Sequence, residues 1–180
     1  DVVVTSTIAV SRKTPVAVSN LLASHIEEKM GAQELVEILK TTPGVHANRQ
    51  GGGWGDSEIY MRGFDNSNIA ILVNGIPIND METGSVYWSD WANLSEVTAT
   101  MQTQRGIGTS KLSAPSVGGT INIVTKGLHA AHGGVASVSV GSHGYNKLSF
   151  AVNSGLLKNG WALSLLGSRT SGKGYFQGGD

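Results

Sequence analysis

The last third of the chain constrains its fold most. From Gly133 onward three segments alternate in polarity with a period of two residues. Ala136, Val138 and Val140 alternate with Val135, Ser137 and Ser139. Leu148, Phe150 and Val152 alternate with Lys147, Ser149 and Asn153. Trp161, Leu163 and Leu165 alternate with Ala162, Ser164 and Leu166. The Lys158-Asn159-Gly160 stretch is a turn signal, because Asn-Gly tolerates the positive φ angles a hairpin needs. Strands of about 10 residues with one apolar face, separated by turns, carry the signature of a transmembrane β-barrel. Three such strands have open edges, which lipid does not tolerate. The expectation is therefore a piece of something larger, or a sheet whose edge is covered.

Composition narrows the remaining choices. The chain has 180 residues and is 39% hydrophobic, enough for one domain plus an extension. It has no run of about 18 apolar residues, so no transmembrane helix is expected. The formal net charge is zero and the basic residues are scattered, which argues against a basic face gripping nucleic acid. Cysteine is absent, so disulfides and thiolate metal sites are excluded. No basic segment followed by an apolar one opens the chain, so any signal peptide is expected to have been removed or to lie outside it. The 25 glycines cluster at 51–55, 106–108, 118–119 and 172–179, which favours tight turns and long loops.

Residues 1–126 read as a small α+β domain, with a boundary to the alternating strands between Lys126 and Gly133. Asp1–Ala9 and Pro15–Ser19 are extended by propensity. Ser24 and Glu27 fit a capping box for a short helix ending near Gly31. A second helix is expected from Gln33 to Lys40, with Leu35, Ile38 and Leu39 on one face, stopped by Pro43-Gly44. Strands are expected over Glu58–Arg62, over the continuous apolar run Ile69–Val73, over Ile76–Ile78 after an Asn74-Gly75 turn, and over Glu96–Met101 and Thr120–Thr125. Loops fill Gly51–Asp56, Asn79–Asn93 and the Gly/Ser-rich Gly106–Gly119.

The order of these signals resembles the plug domain of TonB-dependent outer-membrane receptors. Met30-Gly31-Ala32 through Leu35, Leu39 and Pro43-Gly44-Val45 is similar to the family's helix-and-stop pattern. Met61-Arg62-Gly63 looks like its Ile-Arg-Gly strand. Val73-Asn74-Gly75-Ile76-Pro77-Ile78 looks like its turn, with Asn for the usual Asp. Arg105-Gly106 through Gly118-Gly119-Thr120-Ile121-Asn122-Ile123-Val124-Thr125-Lys126 looks like its close. Ile107–Ser116 lacks the family's aromatic-Gly step, and Thr109-Ser110-Lys111-Leu112 resembles a Bacteroidetes-like branch.

The resemblance implies a fold of two parts. An α+β plug with a small mixed sheet and long loops would occupy residues 1–126. The first three antiparallel strands of a barrel of about 22 strands would occupy 127–180. It also implies ligand-gated import across the outer membrane, energised by an inner-membrane complex through TonB. The N-terminal segment would face the periplasm, and a surface lipoprotein lid is a possible accessory. No cofactor is implied. Asp1-Val2-Val3-Val4-Thr5-Ser6 looks like the family's TonB box, a β-prone segment able to add to a partner's sheet edge; the alternative is an edge strand of the plug itself. Arg62 and Arg105 match family arginines that pair with barrel carboxylates and latch the plug; the alternative is a surface arginine at a strand end.

In the family the two long loops meet extracellular ligand. Trp54 with Asp56, and Tyr87, Trp88 and Trp91 with Asp80 and Glu82, are then candidate contacts, together with Arg49. Aromatic rings offer faces for stacking on a small molecule, a glycan or a peptide, and the charged groups offer hydrogen bonds. The alternative is that the rings pack the plug in place.

Other chemistries find little footing. His129, His132 and His143 flank a junction and a turn without acidic neighbours, so no metal site is expected. Gly106-x-Gly108-x-x-Lys111 lacks the Gly-Lys-Ser/Thr end of a phosphate loop. No G-x-S-x-G occurs, and the expectation is a non-enzyme. A competing reading is a secreted or surface carbohydrate-binding module with a β extension. About 400 or more further residues of alternating strands after Asp180 would favour the receptor; a stop there would favour the module.

Overall fold

The structure is a computed structural model, which describes residues 17–30, 33–50, 57–91, 93–106, 116–127 and 132–173. The TonB-box-like segment Asp1–Ser6, Trp54, Asp56, His129 and the Thr109–Leu112 stretch lie outside these residues, as does the Glu27 side chain of the expected capping box.

The strands are β1 (Ala17–Leu22), β2 (Val45–Arg49), β3 (Ser57–Met61), β4 (Ile69–Val73), β5 (Ile76–Pro77), β6 (Thr98–Arg105), β7 (Gly119–Thr125), β8 (Gly133–Val140), β9 (Asn146–Leu156) and β10 (Ala162–Ser171). The helices are α1 (Ala23–Met30), α2 (Leu35–Ile38) and α3 (Leu94–Val97). They build a five-stranded sheet in the order β1-β6-β7-β4-β5, a β2-β3 ribbon, and a three-stranded sheet β10-β9-β8. The large sheet is mixed: β4 runs parallel to β7 and the other pairs are antiparallel.

Register sorts the two faces of the large sheet. Ile71, Ile121, Thr103 and Ser19 align in one row, and Val73, Ile123, Met101 and Leu21 in the next. These rows face α1, α2 and the β2-β3 ribbon, whose Ile26, Leu35, Ile38, Leu39, Ala47, Ile59 and Met61 complete one buried core. Burying a side chain of this size contributes about 1.5–3 kcal/mol. The opposite face carries a row of amides, Asn20, Gln102 and Asn122, one from each of β1, β6 and β7. Gln102 Nε2 donates to Asn20 Oδ1 at 2.9 Å. Gly75 N donates to Asn122 Oδ1 at 3.2 Å and fixes the β4–β5 turn, where Asn74 (φ 52°) and Gly75 (φ 84°) both take the left-handed conformation.

Several expectations are corrected. The first helix begins at Ala23, so Ser24 lies inside its first turn instead of capping it. The second helix is four residues long and tightens into a 3-10 turn over Leu39–Thr41 before Pro43-Gly44. Its cap is reciprocal: Glu34 N donates to Glu37 Oε2 at 3.2 Å. Glu96 and Val97 belong to α3, and the strand starts at Thr98. Val45–Arg49 is a strand that the sequence reading missed. Gly119 shows why its position tolerates no side chain. It sits at φ 139°, and a Cβ there would lie 2.3 Å from the Gln104 carbonyl oxygen and 2.5 Å from Met61 Sδ.

The third sheet matches the period-two reading. Val138, Val140, Leu148, Phe150, Val152, Leu163 and Leu165 are all exposed on one face. Ser137, Ser149 and Ser168 align on the other. The Phe150 ring covers Gly167 on the neighbouring strand, so a Cβ at Gly167 would lie 2.4 Å from Phe150 Cε1.

Candidate functional site

Three places carry the candidate residues. At the end of the sheet where β6 finishes, Arg62 and Arg105 pack around the same glycines. A Cβ at Gly44 would lie 3.8 Å from Arg62 Cγ and 3.7 Å from Arg105 Cδ, and one at Gly106 would lie 2.9 Å from Arg62 Nη1. Arg62 N donates to the Gly44 carbonyl at 2.9 Å, and Arg105 Nη1 to the Pro43 carbonyl at 2.7 Å. Among the described residues neither arginine pairs with a carboxylate.

The loop after β5 is anchored by Asn79. Its Oδ1 accepts from Ile71 N at 2.8 Å, and its Nδ2 donates to the carbonyls of Ile69 at 2.9 Å and Gly84 at 2.7 Å. Asp80 Oδ1 accepts from Thr83 N at 2.8 Å, Thr83 Oγ1 at 3.1 Å and Glu82 N at 3.0 Å. The Thr83 backbone bond, then its hydroxyl, holds the Asp80 carboxyl below its ordinary range. Asp80 thus shapes the loop, and Glu82, Met81 and Tyr87 stand exposed on it.

Trp88 does not. It is 4% exposed and belongs to the core, and Trp91 packs against that core partly buried. The apolar area of these rings is worth more under the sheet than in water. Of the described aromatics in this loop, Tyr87 alone is exposed.

Arg49, at the end of β2, faces α2. Its Nη2 pairs with Glu37 Oε2 at 2.7 Å and its Nε lies 3.6 Å from Glu34 Oε1. Lys40 Nζ reaches Glu37 Oε1 at 2.9 Å, and Ser57 Oγ donates to Glu34. Burial pushes the Glu37 carboxyl up, but the Lys40 hydrogen bond, the Glu34 N–H and the Arg49 charge together bring it below 4.5. Arg49 pairs with these two glutamates, and its guanidinium ties β2 to α2.

Beside this cluster runs a seam that sequence reasoning missed. Lys147 of β9 forms an ion pair with Glu96 of α3, with side chains 14% and 8% exposed. Ser168 Oγ of β10 donates to Asn93 Oδ1 at 2.6 Å. Tyr145, in the turn before β9, is 7% exposed, and burial raises its phenol above the ordinary 10.0 while the Lys147 and Arg49 charges oppose this. Lys147 is the single charge in β9 and sits on its polar face, a signal that could have marked it.

A mixed sheet with helices on one side, docked on the polar face of an antiparallel sheet whose other face is bare and apolar, defines a plug seated against barrel-type strands. The family model described as the TonB-dependent Receptor Plug Domain matches residues 10–120, more than half of the chain, and the chain belongs to this family. It is 26% identical over 160 residues to the vitamin B12 transporter BtuB of Vibrio vulnificus (strain CMCP6), covering 89% of this chain and 26% of that protein. It is 30% identical over 138 residues to the ferric enterobactin receptor PirA of Pseudomonas aeruginosa, covering 70% and 18%. Among solved structures, FpvA of P. aeruginosa bound to a heterologous pyoverdine superposes with a TM-score of 0.69 at 17% identity, over 90% of this chain and 21% of that one. The ferric-catecholate import receptor Fiu of E. coli K12 superposes with a TM-score of 0.61 at 25% identity, over 87% and 22%. The chain spans about a quarter of the length of the curated relatives it matches.

Proposed function

We propose that this chain is the N-terminal part of a ligand-gated import receptor of the outer membrane. Residues 1–126 form the plug and 127–180 begin the transmembrane barrel. The observation that carries the reading is the two-faced β8-β10 sheet. Its polar face meets the plug through Lys147–Glu96 and Ser168–Asn93, and its other face presents Leu148, Phe150, Val152, Leu163 and Leu165 bare. A barrel wall around a plug needs that arrangement, with lipid outside and polar contacts inside.

In this reading TonB, with its inner-membrane complex, takes hold of Asp1–Ser6 and draws on the plug. Arg62 and Arg105 latch the plug to carboxylates of barrel strands beyond Asp180. Ligand meets Trp54, Asp56, Glu82 and Tyr87, while Asp80, Arg49, Trp88 and Trp91 support those loops. The cargo is a small molecule, with metal chelates favoured because the matched relatives are named for vitamin B12 and ferric siderophores. The test is accumulation of labelled cyanocobalamin and ferric enterobactin by cells expressing the full-length gene, with and without functional TonB. TonB-dependent accumulation of either supports the reading. Failure of both, in cells where the receptor reaches the surface, counts against this cargo class.

A further inference from the structure

The barrel-type strands carry charge of one sign. From 127 to 179 the sequence holds four basic residues, Lys147, Lys158, Arg169 and Lys173, and no aspartate or glutamate. Lys147 turns toward the plug and is met by Glu96. Arg169 and Lys173 are exposed, and among the described residues neither side chain meets a carboxylate. Register places Arg169 on the bare face. It is paired with Leu148, and Leu148 with Val138, so the arginine ends a row whose other two members are exposed and apolar. Along β10 it continues the outward column that begins with Leu165 and the Gly167 covered by Phe150.

A guanidinium on a lipid-facing wall is costly at the bilayer midplane and costs little near the interface. The strand sets its depth. Trp161, 71% exposed, stands just before β10, and aromatic residues girdle the apolar band of such walls. Arg169 lies eight positions further on, about 26 Å along an extended strand. The tilt of barrel strands shortens this to a height of about 20 Å, most of an apolar band ~25 Å tall. Arg169 is therefore at the opposite edge of the band from Trp161. Its aliphatic stem has Leu148 as cross-strand neighbour, and its charged end reaches toward the headgroups. Beyond it the wall turns polar: Ser171 Oγ donates to Asn146 Oδ1 at 3.1 Å, and the ladder runs on to Lys173, whose N donates to the His143 carbonyl at 2.9 Å.

We propose that Arg169, together with Lys173, binds the phosphate of an anionic membrane lipid at this rim of the apolar band. The planar fork of a guanidinium matches two phosphate oxygens, and the lysine adds a second charge. The negative headgroup complements a wall segment that has no acid of its own, and the acyl chains then lie along Leu165, Phe150 and Leu163. This rests on the import reading above, which makes the bare face a lipid-facing wall. The site is on the outside of that wall, apart from the plug and its cargo.

The experiment is native mass spectrometry of the full-length receptor in detergent, titrated with phosphatidylglycerol or with phosphatidylcholine of the same acyl chains. Wild type should retain phosphatidylglycerol about tenfold more tightly than phosphatidylcholine. Arg169→Gln should bring the two lipids to nearly equal retention, and Arg169→Lys, which keeps the charge, should keep part of the preference. Millimolar inorganic phosphate should not displace the bound lipid. A wild type without the preference, or a preference that survives both Arg169→Gln and the Arg169→Gln/Lys173→Gln double variant, overturns the proposal. Displacement by inorganic phosphate also overturns it, since the site would then take the free ion. A wild type that retains neither lipid contradicts the import reading itself, because the bare face would then not be a lipid-facing wall.

Discussion

Lys147 on β9 and Glu96 on α3 form an ion pair that fixes which side of the third sheet faces the plug. With Lys147 turned inward, the period-two pleat turns Leu148, Phe150 and Val152 outward. Register carries the assignment to β10: Leu165 is paired with Val152 and lies outward, and Ser164 is paired with Asn153 and lies inward.

This assignment has an energetic consequence. Phe150→Arg should destabilise the bilayer-inserted receptor by about 2–4 kcal/mol near the midplane, while Ser164→Arg on the polar face should cost about 0–1 kcal/mol. Ser149 is a poor comparator, since it is buried and bonded to Ser137 Oγ at 2.6 Å. Refolding titrations into vesicles measure the difference. Equal costs at 150 and 164 would reverse the faces.

The Phe150 ring over Gly167 leads to a second expectation. Gly167→Ala forces the ring aside and should destabilise by about 1–3 kcal/mol, as overpacking does. Phe150→Leu alone should cost less, and the double variant should recover most of the loss, because the clash disappears with the ring. Thermal or denaturant unfolding of the full-length receptor reads this directly. An additive double variant would mean that the ring and the glycine do not touch.

A pH dependence follows from Glu37. Its folded carboxyl lies below the ordinary 4.5 despite burial, through Lys40, the Glu34 N–H and Arg49. A depressed carboxylate stabilises the fold above its unfolded value. That stabilisation should be fully present above pH 4.5 and be lost as pH falls through the lower folded value. In Glu37→Gln this acid-side slope should flatten. The plug's urea midpoint as a function of pH measures it, and an unchanged slope would mean that Glu37 is not part of the acid transition.

Much of the architecture was legible because it rests on local pattern. The apolar run Ile69–Val73, the Asn74-Gly75 turn and the alternation after Gly133 each specify a strand or turn without help from distant residues. Val45–Arg49 was missed because His46, Asn48 and Arg49 interrupt its apolar signal; it is a strand because Val45 and Ala47 are buried against the core beside Ile59 and Met61 of β3. Glu96 and Val97 read as strand because they precede a β-branched stretch, whereas Thr98 Oγ1 donates to the Leu94 carbonyl at 2.6 Å and closes a helical turn first.

The site was less legible than the fold. Residue type marked Arg49, Trp88 and Tyr87 alike as ligand candidates. Their settings in the fold differ: Trp88 fills the core, Arg49 pairs with glutamates, and Tyr87 stands exposed. The Lys147–Glu96 seam joins residues 51 positions apart in sequence, and no local pattern announces such a pair.

We propose that this plug gates import under pull on its N-terminal segment. Val3→Pro tests it most directly, because proline removes a main-chain donor that an added strand needs. The measurement is binding and accumulation of the same labelled chelate by cells carrying the full-length receptor, wild type against Val3→Pro, at equal surface expression. Surface binding should be unchanged and accumulation should be lost. Accumulation that persists in Val3→Pro, or binding and accumulation lost together, would contradict it.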